Sequence, residues 1–174
     1  MSTQVRPVAA GDFDAIAAIT NVYILETAIH FGTEPVTAAD LREEWRATRE
    51  LYPYVVALVG GELAGFAKAT RSRARAAYAR TAELGVYVHP DFHRRGIART
   101  LYAAVVVSCR DSGFHVLVAG IALPNAPSVA LHEALGVVPV GVFHGIGFKF
   151  GQFHDVGFWE LRVGDAGLPA AHTG

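Results

Sequence analysis

Residues 89–98 read His-Pro-Asp-Phe-His-Arg-Arg-Gly-Ile-Ala, and this stretch decides how the rest of the chain is interpreted. It stands between residues 81–89, whose alternating apolar pattern predicts a strand, and residues 97–109, which hold few helix breakers and predict a helix. At such a turn the free N–H groups and dipole of the helix start favour an anion, and Gly96 lets the backbone come close. The stretch therefore indicates a pyrophosphate site; the alternative is a tight turn whose arginines are simply solvated.

Helical and extended patterns alternate along the rest of the chain. Asp12 stands at the N-cap position of a first helix, and Thr37 with Asp40 predicts a second helix that Pro53 must end. Further elements are predicted as strands at residues 4–8, 54–59, 63–70, 116–121, 137–148 and 156–163 and as a short helix at residues 128–135. This order predicts an α/β fold built on a mixed sheet.

Size and composition limit the classes of protein that fit. The 174 residues suit a single domain at residues 1–163 followed by a loose tail at residues 164–174, and 52% hydrophobic with 18% charged residues argues against disorder. The 15 basic and 16 acidic residues nearly cancel, so neither nucleic acid nor an anionic membrane is an expected partner. Cys109 is the lone cysteine and no signal-peptide pattern opens the chain, so we expect a cytoplasmic protein.

The loop resembles a known motif. Residues 93–98 resemble the coenzyme A pyrophosphate loop of the GNAT superfamily of N-acetyltransferases, whose pattern is Gln or Arg, two residues, Gly, one residue, and Gly or Ala; here His93 takes the first position. Six further blocks resemble the phosphinothricin and methionine sulfoximine (or methionine sulfone) acetyltransferases, namely residues 31–35, 76–78, 83 with 86–88, 123–128, 131–136 and 154–159. The resemblance implies a mostly antiparallel, twisted sheet of about seven strands flanked by about four helices, with splayed strands forming the coenzyme site.

The resemblance also implies catalytic roles. Forming an amide from a thioester needs a deprotonated amine, a site for the developing oxyanion and a proton for the departing thiolate. Glu83 would be the general base, directly or through water, and His132 would lie on the substrate or leaving-group side, with Tyr102 as an alternative proton donor. The structural alternatives are an exposed strand-end carboxylate, a satisfied core histidine and a core tyrosine.

The coenzyme, acetyl-CoA, is the implied co-substrate. Backbone groups of the splayed strand would hold its pantetheine arm, the helix start would wrap its pyrophosphate, and Ser128 would cap the following helix. The residues implied to contact it are Val86, Tyr87, Val88, Arg94, Arg95, Gly96, Ile97, Ala98, Arg99, Asn125 and Ser128. An ordinary buried strand and a plain turn with its cap are the alternatives.

The implied acceptor is a small amine. Arg73, Arg75 and Tyr78 would bind its carboxylate or phosphinate, because the planar guanidinium suits bidentate contacts, and Phe31 and Thr33 would wall the same pocket. A solvated basic loop is the alternative. The resemblance also implies a homodimer.

Other sites and functions are less well supported. Gly136 stands where a zinc helix starting at His132 would need its second histidine, so no metal is expected. The glycines between residues 141 and 151 fall in an extended stretch, which favours bulges or close strand packing over a dinucleotide site. A protein or peptide N-acetyltransferase and a non-catalytic acyl-coenzyme A sensor remain open; Glu83 argues against the sensor and the nearby arginines argue for a small anionic acceptor.

Overall fold

The computed structural model describes residues 2–164, so the expected tail at residues 164–174 lies outside the described residues except for Gly164. The elements are β1 (Thr3–Pro7), α1 (Phe13–Glu26), α2 (Ala38–Thr48), β2 (Tyr54–Val59), β3 (Glu62–Arg71), β4 (Thr81–Val88), α3 (Ile97–Asp111), β5 (Val116–Leu123), α4 (Ala126–Ala134), β6 (Val138–Lys149) and β7 (Gln152–Arg162). Short 3-10 turns precede α1 and α3 and interrupt the loop before β4, at Ala10–Asp12, Pro90–Phe92 and Ala76–Tyr78.

The seven strands form one sheet in the order β1-β2-β3-β4-β5-β7-β6. Every neighbouring pair is antiparallel except β4 and β5, which run parallel because α3 connects them as a crossover. This confirms the prediction of a mixed, mostly antiparallel sheet with four helices.

Both faces of the central strands are covered. Helix α3 buries a stripe at four-residue spacing, Ile97, Leu101, Val105 and Cys109, against the strands beneath it, so the lone cysteine is a core residue. On the other face, α1 packs Phe13, Ile16 and other apolar residues against β2 and β3. The central strands thus lie between two apolar layers, and burial of both faces fixes their pairing register.

Of two predicted caps, Asp12 is at its predicted position without the expected capping bond, and Ser128 is not the cap of its helix. Asp12 does stand before α1, but its carboxylate accepts from the Ala9 N–H at 2.7 Å and pairs with Arg6 at 2.7 Å, so it closes the preceding 3-10 turn. The helix α4 begins at Ala126, and its cap is Asn125, whose Oδ1 accepts from the Ser128 N–H at 3.2 Å. The prediction that Ser128 is the cap was wrong, because Pro127 fits the first helical turn and moves the helix start upstream.

The last strand, β7, starts four residues earlier than predicted. Phe150 and Gly151 both have positive φ values, 51° and 74°, and form a two-residue turn that pairs Lys149 with Gln152. A phenylalanine at positive φ gives no turn signal in a sequence. The glycine-rich stretch before it contains a register shift between Phe143 and Gly147, as the bulge interpretation predicted.

Candidate active site

A wedge opens in the middle of the sheet, between the two parallel strands. The strands β4 and β5 pair only from Thr81 opposite Val116 to Glu83 opposite Val118. Beyond that point β4 stays on β3 as far as Val88, while β5 stays on β7 as far as Leu123. The splay implied for this position is therefore present, and Glu83 lies at its vertex.

Backbone groups line the β4 side of the wedge. The bond from the His89 N–H to the Ala64 carbonyl, 2.8 Å long, shows that Val88 and Val86 occupy non-hydrogen-bonded positions opposite β3. Their N–H and C=O groups therefore face the wedge, while their side chains pack toward α3. Tyr87 differs: its backbone is directed at β3, and its ring packs on the opposite face against Tyr23 at 5.2 Å and Phe66 at 5.3 Å.

The loop before α3 offers a row of free N–H groups. Arg94 and Gly96 adopt left-handed conformations, with φ values of 60° and 76°, and the first helical bond runs from the Thr100 N–H to the Gly96 carbonyl. Within residues 2–164, no acceptor is found for the backbone N–H groups from Arg94 to Arg99. These donors lie at the positive end of the α3 dipole, which is the arrangement that an anion needs.

The side chains of this loop differ in burial. Arg94, Arg95 and Arg99 are exposed, and the Arg95 guanidinium lies 5.2 Å from the centre of the Phe92 ring. Ile97 is buried in the core, and Ala98 is half-buried beside it. An anion at this loop would therefore be bound mainly by backbone N–H groups, with the exposed arginines adding positive charge around it.

His93, the residue that departs from the motif, contacts both α1 and the end of β4. The Tyr23 hydroxyl donates to the Val88 carbonyl at 2.6 Å, and the His93 Nε2 lies 3.0 Å from both of these oxygens. The imidazole thus fastens the loop to the end of β4 and to α1. No sequence pattern indicated this bond, because Tyr23 is 70 residues away from its partner.

Glu83 is the carboxylate at the vertex. Its Oε1 lies 3.6 Å from the point where a Cβ on Gly120 would stand, so this glycine leaves the space that the carboxyl group uses. Burial raises the pKa of Glu83, and the charge of Arg73 partly opposes that rise. A carboxylate with a raised pKa is a better proton acceptor, as a general base requires.

The predicted acceptor residues are brought together only in part. Arg73 is close enough to act on the charge of Glu83, whereas Arg75, Tyr78 and Thr33 are exposed without a side-chain hydrogen bond among the described residues. Phe31 packs against Gly147 on β6, where an added Cβ would stand 2.4 Å from its ring, and against the His154 ring at 6.0 Å. Contacts between these segments were not evident from the sequence.

His132 and Tyr102 meet between α3 and α4. Their ring centroids are 5.0 Å apart in an edge-to-face arrangement. The His132 Nδ1 lies 2.7 Å from the Ser128 carbonyl, which can only accept, so Nδ1 carries the proton and Nε2 is left as an acceptor. Burial lowers the pKa of His132 and raises the pKa of Tyr102, so the imidazole is neutral and the phenol keeps its proton at neutral pH.

Sequence reasoning gave no chemical role to two features beside this site. Lys149 is a buried lysine whose ammonium donates to the Ile24 carbonyl at the end of α1 and to the His30 carbonyl in the segment that carries Phe31. A cleft of about 520 Å³ opens next to it, lined by Ala28, Ile29, Ala122, Leu123, Pro124, Gln152, Phe153, His154 and Asp155. The signal in the sequence for Lys149 was a lysine at the end of a mostly apolar strand.

The outer strand β6 leaves a large apolar surface uncovered. It is the edge of the sheet, and most of its residues are exposed. The exposed apolar side chains of the hairpin are Val138, Val140, Val142, Phe143, Ile146, Phe148, Phe150 and Phe153. A surface of this kind marks a contact site.

Two kinds of feature are absent from residues 2–164. No group of three or more His, Cys, Asp or Glu side chains in this range could hold a metal ion. None of the helices in the same range has the length and apolar character that a membrane crossing requires.

Comparison with known proteins gives consistent results. Residues 18–137 match the model of the acetyltransferase (GNAT) family. The chain is 42% identical to the phosphinothricin N-acetyltransferase of Streptomyces viridochromogenes over 167 residues, covering 96% of this chain and 90% of that protein. It is 34% identical to the L-methionine sulfoximine/L-methionine sulfone acetyltransferase of Salmonella typhimurium over 160 residues, covering 89% and 93%.

A solved structure extends the likeness to three dimensions. The GNAT superfamily phosphinothricin acetyltransferase of Sinorhizobium meliloti, in complex with acetyl-CoA, superposes with a TM-score of 0.90 at 31% identity. The match covers 94% of this chain and 90% of that one.

Proposed function

Because the chain belongs to the acetyltransferase (GNAT) family, we propose that it transfers the acetyl group of acetyl-CoA to the free amino group of a small amino-acid-like acceptor of the phosphinothricin, methionine sulfoximine or methionine sulfone type. The names of its relatives supply these acceptors. In this proposal Glu83 is the general base and the enzyme works in the cytoplasm.

The position of Glu83 carries the proposal. It is the last residue of β4 that pairs with β5, so its carboxylate stands where the wedge begins. A thioester held in the wedge would present its carbonyl carbon beside this carboxylate. Burial, which raises the pKa of Glu83, favours its action as a proton acceptor near neutral pH.

The coenzyme would be held mainly by backbone groups. The free N–H groups from Arg94 to Arg99 would bind the diphosphate, and the wedge-facing groups of Val86 and Val88 would bind the pantetheine arm. The N–H and the carbonyl of Val88 both face the wedge, and the carbonyl already contacts the Tyr23 hydroxyl and the His93 Nε2. The N–H of Val86 also faces the wedge and lies nearer to Glu83, so it is our candidate for polarising the thioester carbonyl.

The acceptor would approach from the side of the Ser72–Arg80 loop. Arg73, with support from Arg75 and Tyr78, would hold its carboxylate or phosphinate, and Phe31 and Thr33 would form the opposite wall. The amine gives its proton to Glu83, directly or through a water molecule, and attacks the carbonyl carbon. The tetrahedral intermediate then expels the coenzyme A thiolate and leaves the amide.

For the departing thiolate we favour Tyr102 as the hydrogen-bond donor. Its phenol keeps its proton at neutral pH because burial raises its pKa. His132 presents only the acceptor nitrogen Nε2. We therefore assign His132 to orienting groups on the leaving-group side, with Asn125 and Ser128 shaping the adjacent helix start.

We further propose that the enzyme is a homodimer. The uncovered apolar side chains of the β6–β7 hairpin lie on the edge strand, where a second copy of the chain could bury them. Sedimentation velocity should give twice the monomer mass, and replacing Val140 by Asp should shift the chain toward monomer.

Thiol release tests the function most simply. Purified protein is incubated with acetyl-CoA and, in turn, phosphinothricin, methionine sulfoximine, methionine sulfone and several short peptides. Cys109 is fully buried, so the folded protein adds little background to a thiol reagent. We expect release with the small acceptors and none with their N-acetylated forms, which lack the attacking amine.

Two results would contradict the proposal. Turnover on peptides alone would show that the acceptor is a protein or peptide and not a small amine. Binding of acetyl-CoA without release for any acceptor would favour the non-catalytic sensor.

A further inference from the structure

The ammonium group of Lys149 is buried near the end of β6. The residue is 5% exposed, and within residues 2–164 no carboxylate lies within ion-pair distance of its Nζ. Nζ instead donates to the Ile24 carbonyl at 2.5 Å and to the His30 carbonyl at 2.6 Å. A buried charge held by two backbone carbonyls is costly to keep, and this one is positioned to hold the backbone in place.

The two carbonyls belong to different parts of the chain. Ile24 lies in the last turn of α1, where carbonyls lack helical partners and a positive charge is favourable. His30 lies in the segment that follows, residues 27–36, which we call the strap. Through these two hydrogen bonds, Lys149 therefore connects the strap to the end of α1.

The strap has other attachments, which define what Lys149 adds. At its far end, the Asn21 side chain accepts from the Val36 N–H at 2.8 Å and donates to the Val36 carbonyl at 2.9 Å. At its near end, the Thr27 hydroxyl bonds the Tyr23 carbonyl at 2.7 Å. Between them, Lys149 is the polar contact from the sheet.

Phe31 follows directly after the tethered His30. Its ring rests on Gly147, two residues before Lys149 on the same strand, at a distance that excludes any side chain there. Strand β6 thus fixes both the backbone of the strap, through Lys149, and its aromatic ring, through Gly147. Both contacts therefore determine where the Phe31 ring lies over the sheet.

We propose that Lys149 is a positioning residue for the acceptor: its two hydrogen bonds hold the strap so that Phe31 walls the acceptor pocket. This inference rests on the proposed function, in which Phe31 and Thr33 form that wall. It predicts that loss of the ammonium harms acceptor binding while the coenzyme site, built on β4 and α3, is unaffected.

The first test compares Lys149→Met with wild-type protein in steady-state kinetics. The acceptor KM should rise roughly tenfold or more, the effect of losing a charge-assisted hydrogen bond, with the acetyl-CoA Kd within about twofold of wild type. Lys149→Arg, which keeps the charge, should recover part of the loss. Lys68→Met is the matched control: Lys68 is the only other lysine in the chain and pairs with Glu44 at 3.8 Å, so the acceptor KM should hardly change.

A second variant protects the test against misfolding of the first. Gly147→Ala leaves the charge in place but puts a methyl group 2.4 Å from the Phe31 ring, so it must displace the same wall. It should raise the acceptor KM in the same direction. An unchanged acceptor KM in both Lys149→Met and Gly147→Ala would overturn the proposal.

Hydrogen exchange separates this inference from the proposed function. In Lys149→Met the amides of Ile29 and Gly32, which donate to the Thr27 hydroxyl and the His30 Nδ1, should exchange at least roughly tenfold faster, while those of α3 stay protected. If wild-type protein acetylates no acceptor, the proposed function fails, and exchange alone decides whether Lys149 holds the strap. Unchanged exchange of the strap would show that it does not.

Discussion

The two halves of the candidate site differ in the groups that form them, backbone in one and side chains in the other. In the proposed site, the coenzyme half would use backbone N–H and C=O groups of one continuous stretch, from Val86 on β4 to Arg99 on α3. The proposed acceptor half would use side chains from separate segments: the strap, the Ser72–Arg80 loop, Glu83 and the end of β6. Backbone sites depend on conformation, whereas side-chain sites depend on identity.

This difference predicts how each half responds to substitution. Side-chain changes in the acceptor half should have large and specific effects on turnover or acceptor binding. In the coenzyme half, only changes that alter the backbone should matter much, because exposed arginines contribute little through charge alone.

The largest expected effect is at Glu83. Glu83→Gln removes the proton acceptor but keeps the size and fold, so turnover at neutral pH should fall by roughly 10²–10⁴-fold. Thiol release gives the rate, and calorimetry should show nearly unchanged acetyl-CoA binding. Glu160→Gln is the control, because Glu160 lies in the same row of the sheet, opposite Val118, which pairs with Glu83. Equal rates for Glu83→Gln and wild type would remove Glu83 from the mechanism.

The next effect concerns the acceptor anion. Arg73→Ala should raise the acceptor KM by roughly 10–100-fold, the effect of losing a charged hydrogen bond, with acetyl-CoA binding preserved. Arg80→Ala is the control from the same loop, since Arg80 bonds the Gly113 carbonyl at 3.1 Å, away from the site. If both variants bind the acceptor as wild type does, the loop is merely a solvated basic surface.

The coenzyme half is tested by comparing two glycines at opposite ends of α3. Gly96 and Gly113 have φ values of 76° and 84°, so alanine at either should cost about 1 kcal/mol of stability. Only Gly96→Ala should weaken acetyl-CoA binding, by roughly tenfold, because it alone disturbs the donor row. Similar coenzyme affinities in the two variants would mean that the row does not bind the diphosphate.

The smallest effect is on stability and follows from the pKa of Glu83. Burial raises the pKa in the folded state, so the folded protein holds this proton more tightly than the unfolded chain does. The stability from that proton is complete below the unfolded pKa and is lost as the pH rises through the folded pKa. Glu83→Gln should therefore melt above wild type at neutral pH, and the difference should vanish at acid pH. Melting curves across that range check the sign, and a variant that melts lower at neutral pH would contradict it.

Arg73 refines the same prediction. Its charge opposes the rise in the pKa of Glu83, so Arg73→Ala should raise that pKa further. The acid limb of the rate profile, measured with saturating acceptor, should shift to higher pH. No shift would mean that the two side chains do not interact.

The strand, turn and helix of the proposed coenzyme half could be predicted from the sequence because their signal is local. A glycine at positive φ, a strand before it and a helix after it fall within a single short stretch, and the structure has the strand, the turn and the helix there. The splay after Glu83 was implied by resemblance and is present in the pairing register. The inward bond of His93 was not predictable, because its partners come from α1 and the end of β4.

The acceptor half was less predictable for a physical reason. Lys149 and His30 are brought together by the sheet order and by the hairpin turn at Phe150, whose positive φ has no sequence signature. The cap of α4 was misassigned by three residues because Asn125 and Ser128 both suit a cap, and only the geometry distinguishes them. Contacts between distant segments depend on register, which a single sequence does not encode locally.

Calorimetric titration of the purified chain with acetyl-CoA tests the central claim most directly, and Gly96→Ala provides the comparison. The account predicts saturable binding of one coenzyme per chain, weakened in Gly96→Ala and retained in Glu83→Gln. A wild-type protein that gives no binding heat and shows no competition by acetyl-CoA in a second assay would contradict it.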